Sequence, residues 1–490
     1  ERAKVAFKDL RGSLPPELSV ENLNYDRYRE VRFMVDQALW RKDERPFWVE
    51  FFHPGYIFQE PVQMHEFTAE GYAQPIRFSP DFFDYTRVPD LREHIPADAG
   101  YAGFKLLYAL NEPGRMDELA VFQGASYFRL LGRGARYGQS ARGLAINCGE
   151  GEEFPLFTEV WLGKPSAEAR EVTVFALLDS RSCTGAYRLV LRPGEWSTAE
   201  VDAVVYWRDE ALVRAACEAQ KVDYEPAKSV GLAPLTSMFW FGENTEGKPD
   251  DYRTEVHDTD GLLILMENDE VVWRPLSNPP RHHQIRHSIF DAINPKAFGL
   301  LQRDRKYFNY HEVTNLYHRT PSMMIRPKGS WGKGQIRLVE IGTMSEYEDN
   351  IVAFWNPAER PIPGEPYRFG YVLESGTGGE EKWSPNFVQG TRLGADPGNP
   401  KIRDIVIDFA GAFVSKFSEA DPPVAVPSCP DGMGHFSKVV VLKNEFENAW
   451  RVFLKFEPAA GVTDPIPLRC TLTHGGAVLT ETWDYLWTPR

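Results

Sequence analysis

The residues best suited to chemistry lie in two acidic turns. One is Glu255-Val-His-Asp-Thr-Asp-Gly261; the other is Ser345-Glu-Tyr-Glu-Asp-Asn350, which runs straight into the apolar stretch Ile351-Val-Ala-Phe-Trp355. Between them, Gly299-Leu-Leu-Gln-Arg-Asp-Arg-Lys-Tyr-Phe-Asn-Tyr310 mixes charges with aromatic rings. Carboxylates beside aromatic faces are what a carbohydrate cleft needs, because glycosidic bonds require acids and bases and sugar rings rest on flat apolar surfaces. The same residues would also serve as solvated turns at strand ends, and their types alone leave both readings open. On an extended segment Asp258 and Asp260 share one face, with His257 and Thr259 on the other. A carboxyl raised in pKa by burial can act as an acid while a second stays ionised as a base. Asp349, just before an apolar strand, is placed for the first role.

Other chemistries have weaker footing. Arg281-His-His-Gln-Ile-Arg-His287 offers three imidazoles, but adjacent side chains on an extended chain point to opposite faces, so they do not converge on a metal. Gly132-Arg-Gly-Ala-Arg-Tyr-Gly138 lacks the strand–helix setting of a dinucleotide loop, and Lys328-Gly-Ser-Trp-Gly-Lys-Gly334 reads as a turn before a strand. No nucleophile elbow stands out. Neither a metal nor another cofactor is expected.

These residues must be held by a chain of 490 residues, too long for one ordinary core, so at least two domains are expected. A net charge of −15 argues against nucleic acid, and no apolar run reaches the roughly 18 residues of a membrane span, so no membrane insertion is expected. Five cysteines lack C-x-x-C spacing; whether Cys429 and Cys470 pair is left open. The start at Glu1 suits a processed chain without its leader.

Periodicity predicts helices over Tyr25 to Trp40 and Arg208 to Gln220 and little other helix. Strands are predicted at Val172–Leu178, Tyr187–Leu191, Ala199–Tyr206 and Gly334–Ile341. A hairpin joins Leu262–Met266 to Val271–Trp273. Turn residues cluster from Gly376 to Pro400, the expected boundary. Beyond it come strands Ile402–Phe409, Lys438–Leu442 and Trp450–Phe456 and a hairpin turning at His474-Gly-Gly476. Short strands with Gly and Pro turns indicate an all-β chain of sandwiches, the last of immunoglobulin-like size.

Ordered blocks along the chain carry a resemblance. They are Gly124-Ala-Ser-Tyr-Phe-Arg129, Tyr137-Gly-Gln-Ser-Ala-Arg-Gly-Leu-Ala145, Gly151-Glu-Glu-Phe-Pro155, Thr184-Gly-Ala-Tyr187 and Ala233-Pro-Leu-Thr-Ser-Met-Phe239. They continue through Val256-His-Asp-Thr-Asp-Gly-Leu262, Trp273-Arg-Pro-Leu276, Gly299-Leu-Leu-Gln-Arg303, Trp331-Gly-Lys-Gly334 and Asp349-Asn-Ile-Val352. Through them the chain resembles the periplasmic glucan biosynthesis proteins G and D of Gram-negative bacteria, the D-type glucan-processing members in particular. The resemblance implies a galactose-mutarotase-like β-sandwich over residues 1–382, a linker at 383–400 and an immunoglobulin-like sandwich at 401–490. It implies a periplasmic location and anomer-inverting action on linear β-1,2-glucan, by endo-hydrolysis or by transglycosylation and cyclisation. A homodimer is left open.

Position by position, Asp349 looks like the family's general acid and Asp258 like its base, reached through a relay of waters and a substrate hydroxyl. Tyr317 matches a loop tyrosine near that relay; Asp260 matches no fixed carboxylate. Glu346, Arg319 and Thr320 are further candidates for support or substrate binding. Where the family pattern has Arg before Pro321, this chain has Thr320, with Arg319 one place earlier. If that Arg orders the water path, its loss favours transfer to a sugar hydroxyl. The competing function is a non-catalytic glucan-binding or scaffold protein, which would have no need of two placed carboxylates.

Overall fold

A computed structural model describes residues 1–9 and 14–489. Among these residues the chain is all-β, with two large sheets of ten and fifteen strands and a smaller one of four. Alternation built the sheets. In Trp196–Trp207 every second side chain, from Ser197 to Trp207, faces inward, and the neighbouring strands Val172–Asp179, Cys183–Arg192 and Pro366–Gly376 pair antiparallel around it. The ten-stranded sheet packs against this layer. Leu235, Ile351 and Trp355 from one sheet join Leu189, Val201 and Leu373 from the other in a single buried core.

The two longest fully buried strands of the ten-stranded sheet are Val230–Ser237 and Ile351–Pro357. They pair with each other, Ser237 opposite Ile351. Their second face is covered by a separate apolar cluster that includes Cys148, Val339 and Phe354. Burial on both faces makes this pair a stiff platform, and Asp349 stands at its end.

The hairpin at 262–273 is present as Gly261–Leu265 and Val271–Pro275, and the helix expected over 208–220 spans Glu210–Gln220. The helix expected from Tyr25 to Trp40 is not. It stops after Tyr25–Tyr28, one turn capped by the Asn24 side chain. Tertiary pairing overrides the helical spacing: Arg32–Phe33 pairs with Phe83–Asp84, and Phe33 packs edge-on against Phe51 and Phe83, ring centres 5.8 and 5.3 Å away.

Residues 383–400, expected as a linker, contain the strand Asn386–Asp396, which pairs along its length with Asn399–Gly411. The later strands split between two sheets. Asn386–Asp396, Asn399–Gly411, Gly434–Asn444 and Ala449–Pro458 form the four-stranded sheet, while Val424–Ser428, Ile466–His474 and Thr482–Trp487 extend the fifteen-stranded one. The junction is a parallel pairing of Val272 and Trp273 with Thr482 and Trp483. A second core spans it, placing Leu263, Trp273 and Met324 beside Ile405, Trp450 and Trp483. We propose that this core defines a second domain whose first strand is Asn386–Asp396. All five cysteines are free thiols, Cys429 and Cys470 included.

Candidate active site

A cleft of about 910 Å³ is lined by residues that all precede Asn350, so its walls come from the large sandwich. Tyr25, Phe58, Tyr127, Tyr137 and Phe154 supply rings, Glu118, Glu152 and Asp349 supply carboxylates, and Arg129 supplies a guanidinium. The tyrosines meet the expectation of an aromatic cleft. Two arginines back the rings. Arg142 is buried, donates to Thr236 Oγ1 at 2.8 Å and pairs with Glu152 at 2.5 Å. Its guanidinium carbon lies 4.7 Å from the Tyr127 ring centre and 5.5 Å from that of Phe154. Arg129 lies 5.6 Å from the Tyr137 ring centre. Such cation–ring contacts hold flat faces towards the cleft.

Asp349 is open to solvent within the cleft yet crowded by protein. Removal from bulk water raises its pKa, and the charges of Arg129 and Arg142 pull the other way. Its position is set by Asn350, whose side chain is buried. Asn350 Oδ1 accepts from Phe239 N at 2.8 Å, and Nδ2 donates to the carbonyls of Phe239 at 3.0 Å and Ile341 at 2.9 Å. Strand Phe239–Phe241 in turn pairs with Val256–His257, and Asp258 N donates to Met238 O at 2.9 Å. One short segment, Met238–Phe241, therefore sets both acidic turns. Asn350→Ala is expected to destabilise the protein by about 2–4 kcal/mol, because buried backbone groups lose their partners; the shift of a urea unfolding midpoint measures it.

Asp258 is half-buried and lies outside the cleft lining. Desolvation pushes its pKa up to about 7, and the Asp349 charge pushes the same way, against Arg129 and His257. An ionised Asp349 thus makes ionisation of Asp258 harder.

The turn at 317–320 is tied to Asp258. Thr320 is fully buried, and its hydroxyl is 2.7 Å from the Asp258 carbonyl and 2.9 Å from the Tyr317 carbonyl. Tyr317 donates its hydroxyl to Glu346, which also accepts from Arg253 at 2.8 Å. The Glu346 charge and burial both raise the Tyr317 pKa, burial more strongly. Arg319 is committed elsewhere: its guanidinium donates to the Gly134 carbonyl at 2.8 and 3.1 Å. Thr320 is packed too tightly for a long side chain, since even a Cβ built on Gly138 would lie 2.8 Å from Thr320 Cβ.

Asp260 belongs elsewhere. The strand ends at His257, so the expected alternation breaks down, and Asp260 Oδ1 faces His257 Nδ1 at 3.4 Å. Its other oxygen accepts from the backbone N–H of Arg303 at 2.5 Å and Asp304 at 2.8 Å. Desolvation raises it to about 6. Asp260 and His257 line a small cavity beside Val388 and Thr391 of the four-stranded sheet, away from the cleft.

Arg129, Arg142, Tyr127, Tyr137 and Asn350 carry much of the site, and residue chemistry alone did not single them out. Their signal was the ordered blocks at 124–129, 137–145 and 349–352.

The fold and the cleft define an all-β sandwich protein with a carboxylate-bearing, aromatic-walled groove. The sequence profile of the periplasmic glucan biosynthesis protein MdoG matches residues 1–487, and the chain belongs to that family. It is 41% identical over 487 residues to glucans biosynthesis protein G of Ralstonia nicotianae, covering 97% of this chain and 92% of that one. It is 40% identical to glucans biosynthesis protein G of Vibrio cholerae, covering 99% and 84%. A probable glucans biosynthesis protein D of Shewanella oneidensis is 39% identical, covering 99% and 86%. Identities so close do not separate the G and D branches.

Proposed function

We propose that this protein is an anomer-inverting enzyme that cuts linear β-1,2-glucan in the periplasm. Asp349 is the general acid and Asp258 the base. The observation that carries this reading is the placement of two acidic turns by one segment, Met238–Phe241, with Asp349 facing an aromatic-walled cleft and Asp258 fixed beside the same segment. Neutral sugar rings suit Tyr127 and Tyr137. A protonated Asp349 supplies a proton to the leaving oxygen, while ionised Asp258 accepts one from the attacking hydroxyl through a relay beside Tyr317. The buried Thr320 and the commitment of Arg319 to Gly134 leave that turn without the family's arginine. Transfer to a sugar hydroxyl, closing a ring, is the version we favour over hydrolysis.

The test is mass spectrometry after incubating purified protein with long linear β-1,2-glucan. A cyclic product is one water lighter than its linear counterpart. Unchanged glucan that nevertheless binds would replace the enzyme with a scaffold. Tyr127→Ala and Tyr137→Ala should each raise KM about three- to tenfold, from roughly 0.7–1.4 kcal/mol of lost ring contact; initial rates over a range of glucan concentrations check this.

A further inference from the structure

Beneath Asp258 lies a buried network that the proposed reaction does not itself use. His257 is 1% exposed. Its Nε2 is 2.9 Å from Glu255 Oε2 and its Nδ1 is 3.1 Å from Gln302 Oε1. The Gln302 amide cannot be turned round, because its Nε2 donates to the carbonyls of His257 and Tyr317, each at 3.1 Å. A flip would set an oxygen against two oxygens. Gln302 Oε1 is therefore an acceptor, and His257 Nδ1 must carry a proton to meet it. On the other side Nε2 meets a carboxyl, and a shared proton there goes to the stronger base, ordinarily the imidazole. Both ring nitrogens are then protonated. Asp260 Oδ1 agrees: it is buried without a hydrogen-bond donor among the described residues, and His257 Nδ1 is the cation 3.4 Å from it.

We infer that His257 is an imidazolium throughout the neutral range and a positioning residue, whose buried charge holds the neighbouring Asp258 as a carboxylate ready to accept a proton. The role rests on the reading of Asp258 as the base; the charge state does not. Burial opposes the charge, but the Glu255 bond and the nearby Asp260 and Asp304 outweigh it, leaving the ring at about 9. Asp258 is the next residue, Glu243 lines the same small cavity, and the rings packed on His257 are uncharged. Phe239 stacks on the ring at 5.2 Å and Tyr310 meets it edge-on at 5.2 Å, with the Tyr310 hydroxyl given to the Asp304 carbonyl at 3.1 Å. Gln302 also links the His257 and Tyr317 carbonyls, so one fully buried amide sets the ring's proton and ties the two segments together.

The charge is read directly by NMR of the intact protein carrying 13C- and 15N-labelled histidine, with the His257 signals identified by their loss in His257→Gln. At pH 8 an ordinary histidine is neutral; His257 is expected to keep both protons, and a neutral tautomer at pH 8 would overturn the inference. The role is read from the pH dependence of kcat/KM on β-1,2-glucan. In His257→Gln the acid limb should move up by about one pH unit, the lower end of what an adjacent opposite charge does. On the alkaline limb, where Asp349 gives up its proton, the rate should match wild type, whereas simple structural damage would lower the rate at every pH. Glu255→Gln keeps the shape, removes the carboxylate that holds the proton, and should shift the limb the same way even if His257→Gln does not fold. An unmoved limb in Glu255→Gln overturns the role. Wild-type rates in Asp258→Asn would instead remove Asp258 as the base and leave the imidazolium standing.

Discussion

Asp349→Asn is expected to cut turnover of β-1,2-glucan by about 10²–10⁴-fold, the range lost with a general acid. Asparagine has the same shape, and the three bonds that fix this turn belong to Asn350, so the cleft should keep its form. Glucan binding should therefore remain near wild-type while kcat collapses, since an amide has no proton to deliver to the leaving oxygen. Crowding in the cleft already favours the protonated form of Asp349, which an acid needs near neutral pH. Initial rates and an equilibrium binding measurement on the same preparation separate the two effects. Turnover at the wild-type rate would sink the assignment of the acid.

Asp258→Asn should lose activity on a similar scale, because the attacking hydroxyl would have no group to take its proton. This substitution carries a second signature. The folded-state pKa of Asp258, pushed up to about 7 by desolvation and the Asp349 charge, lies above that of the unfolded chain. The folded protein thus binds this proton more tightly, so the stabilisation is full below about pH 4 and is lost as pH rises through about 7. Above that window the wild-type protein bears the cost of an ionised, half-buried carboxylate and the amide variant does not. Asp258→Asn should accordingly be dead yet melt higher than wild type at pH 8, with the difference shrinking towards pH 4. A lower Tm at pH 8 would mean that Asp258 is a structural anchor. Active wild-type enzyme should also lose kcat/KM on the acid side as Asp258 takes up its proton.

The linear order of residues determined the all-β class through strict alternation, as in Trp196–Trp207, where each residue's facing follows from the period of two. It also marked both acidic turns and, through the ordered blocks, the family. Local pattern misled at Tyr25 to Trp40, where helical spacing lost to a strand pairing with residues about fifty positions away, and at 383–400, where turn residues sit inside a long hairpin. The site shows the same division. That Asp258 and Asp260 differ in surroundings could not be read from their spacing, because the strand ends at His257 and the next turn sends the second carboxyl to Arg303 and Asp304. Only the tertiary structure decided that Met238–Phe241 joins the two acidic turns, that Arg319 is committed to Gly134, and that Gln302 obliges His257 to hold a second proton. Each of these rests on a partner distant in sequence. Periodicity records which way a side chain faces; which group it meets there depends on how the sheets close over it.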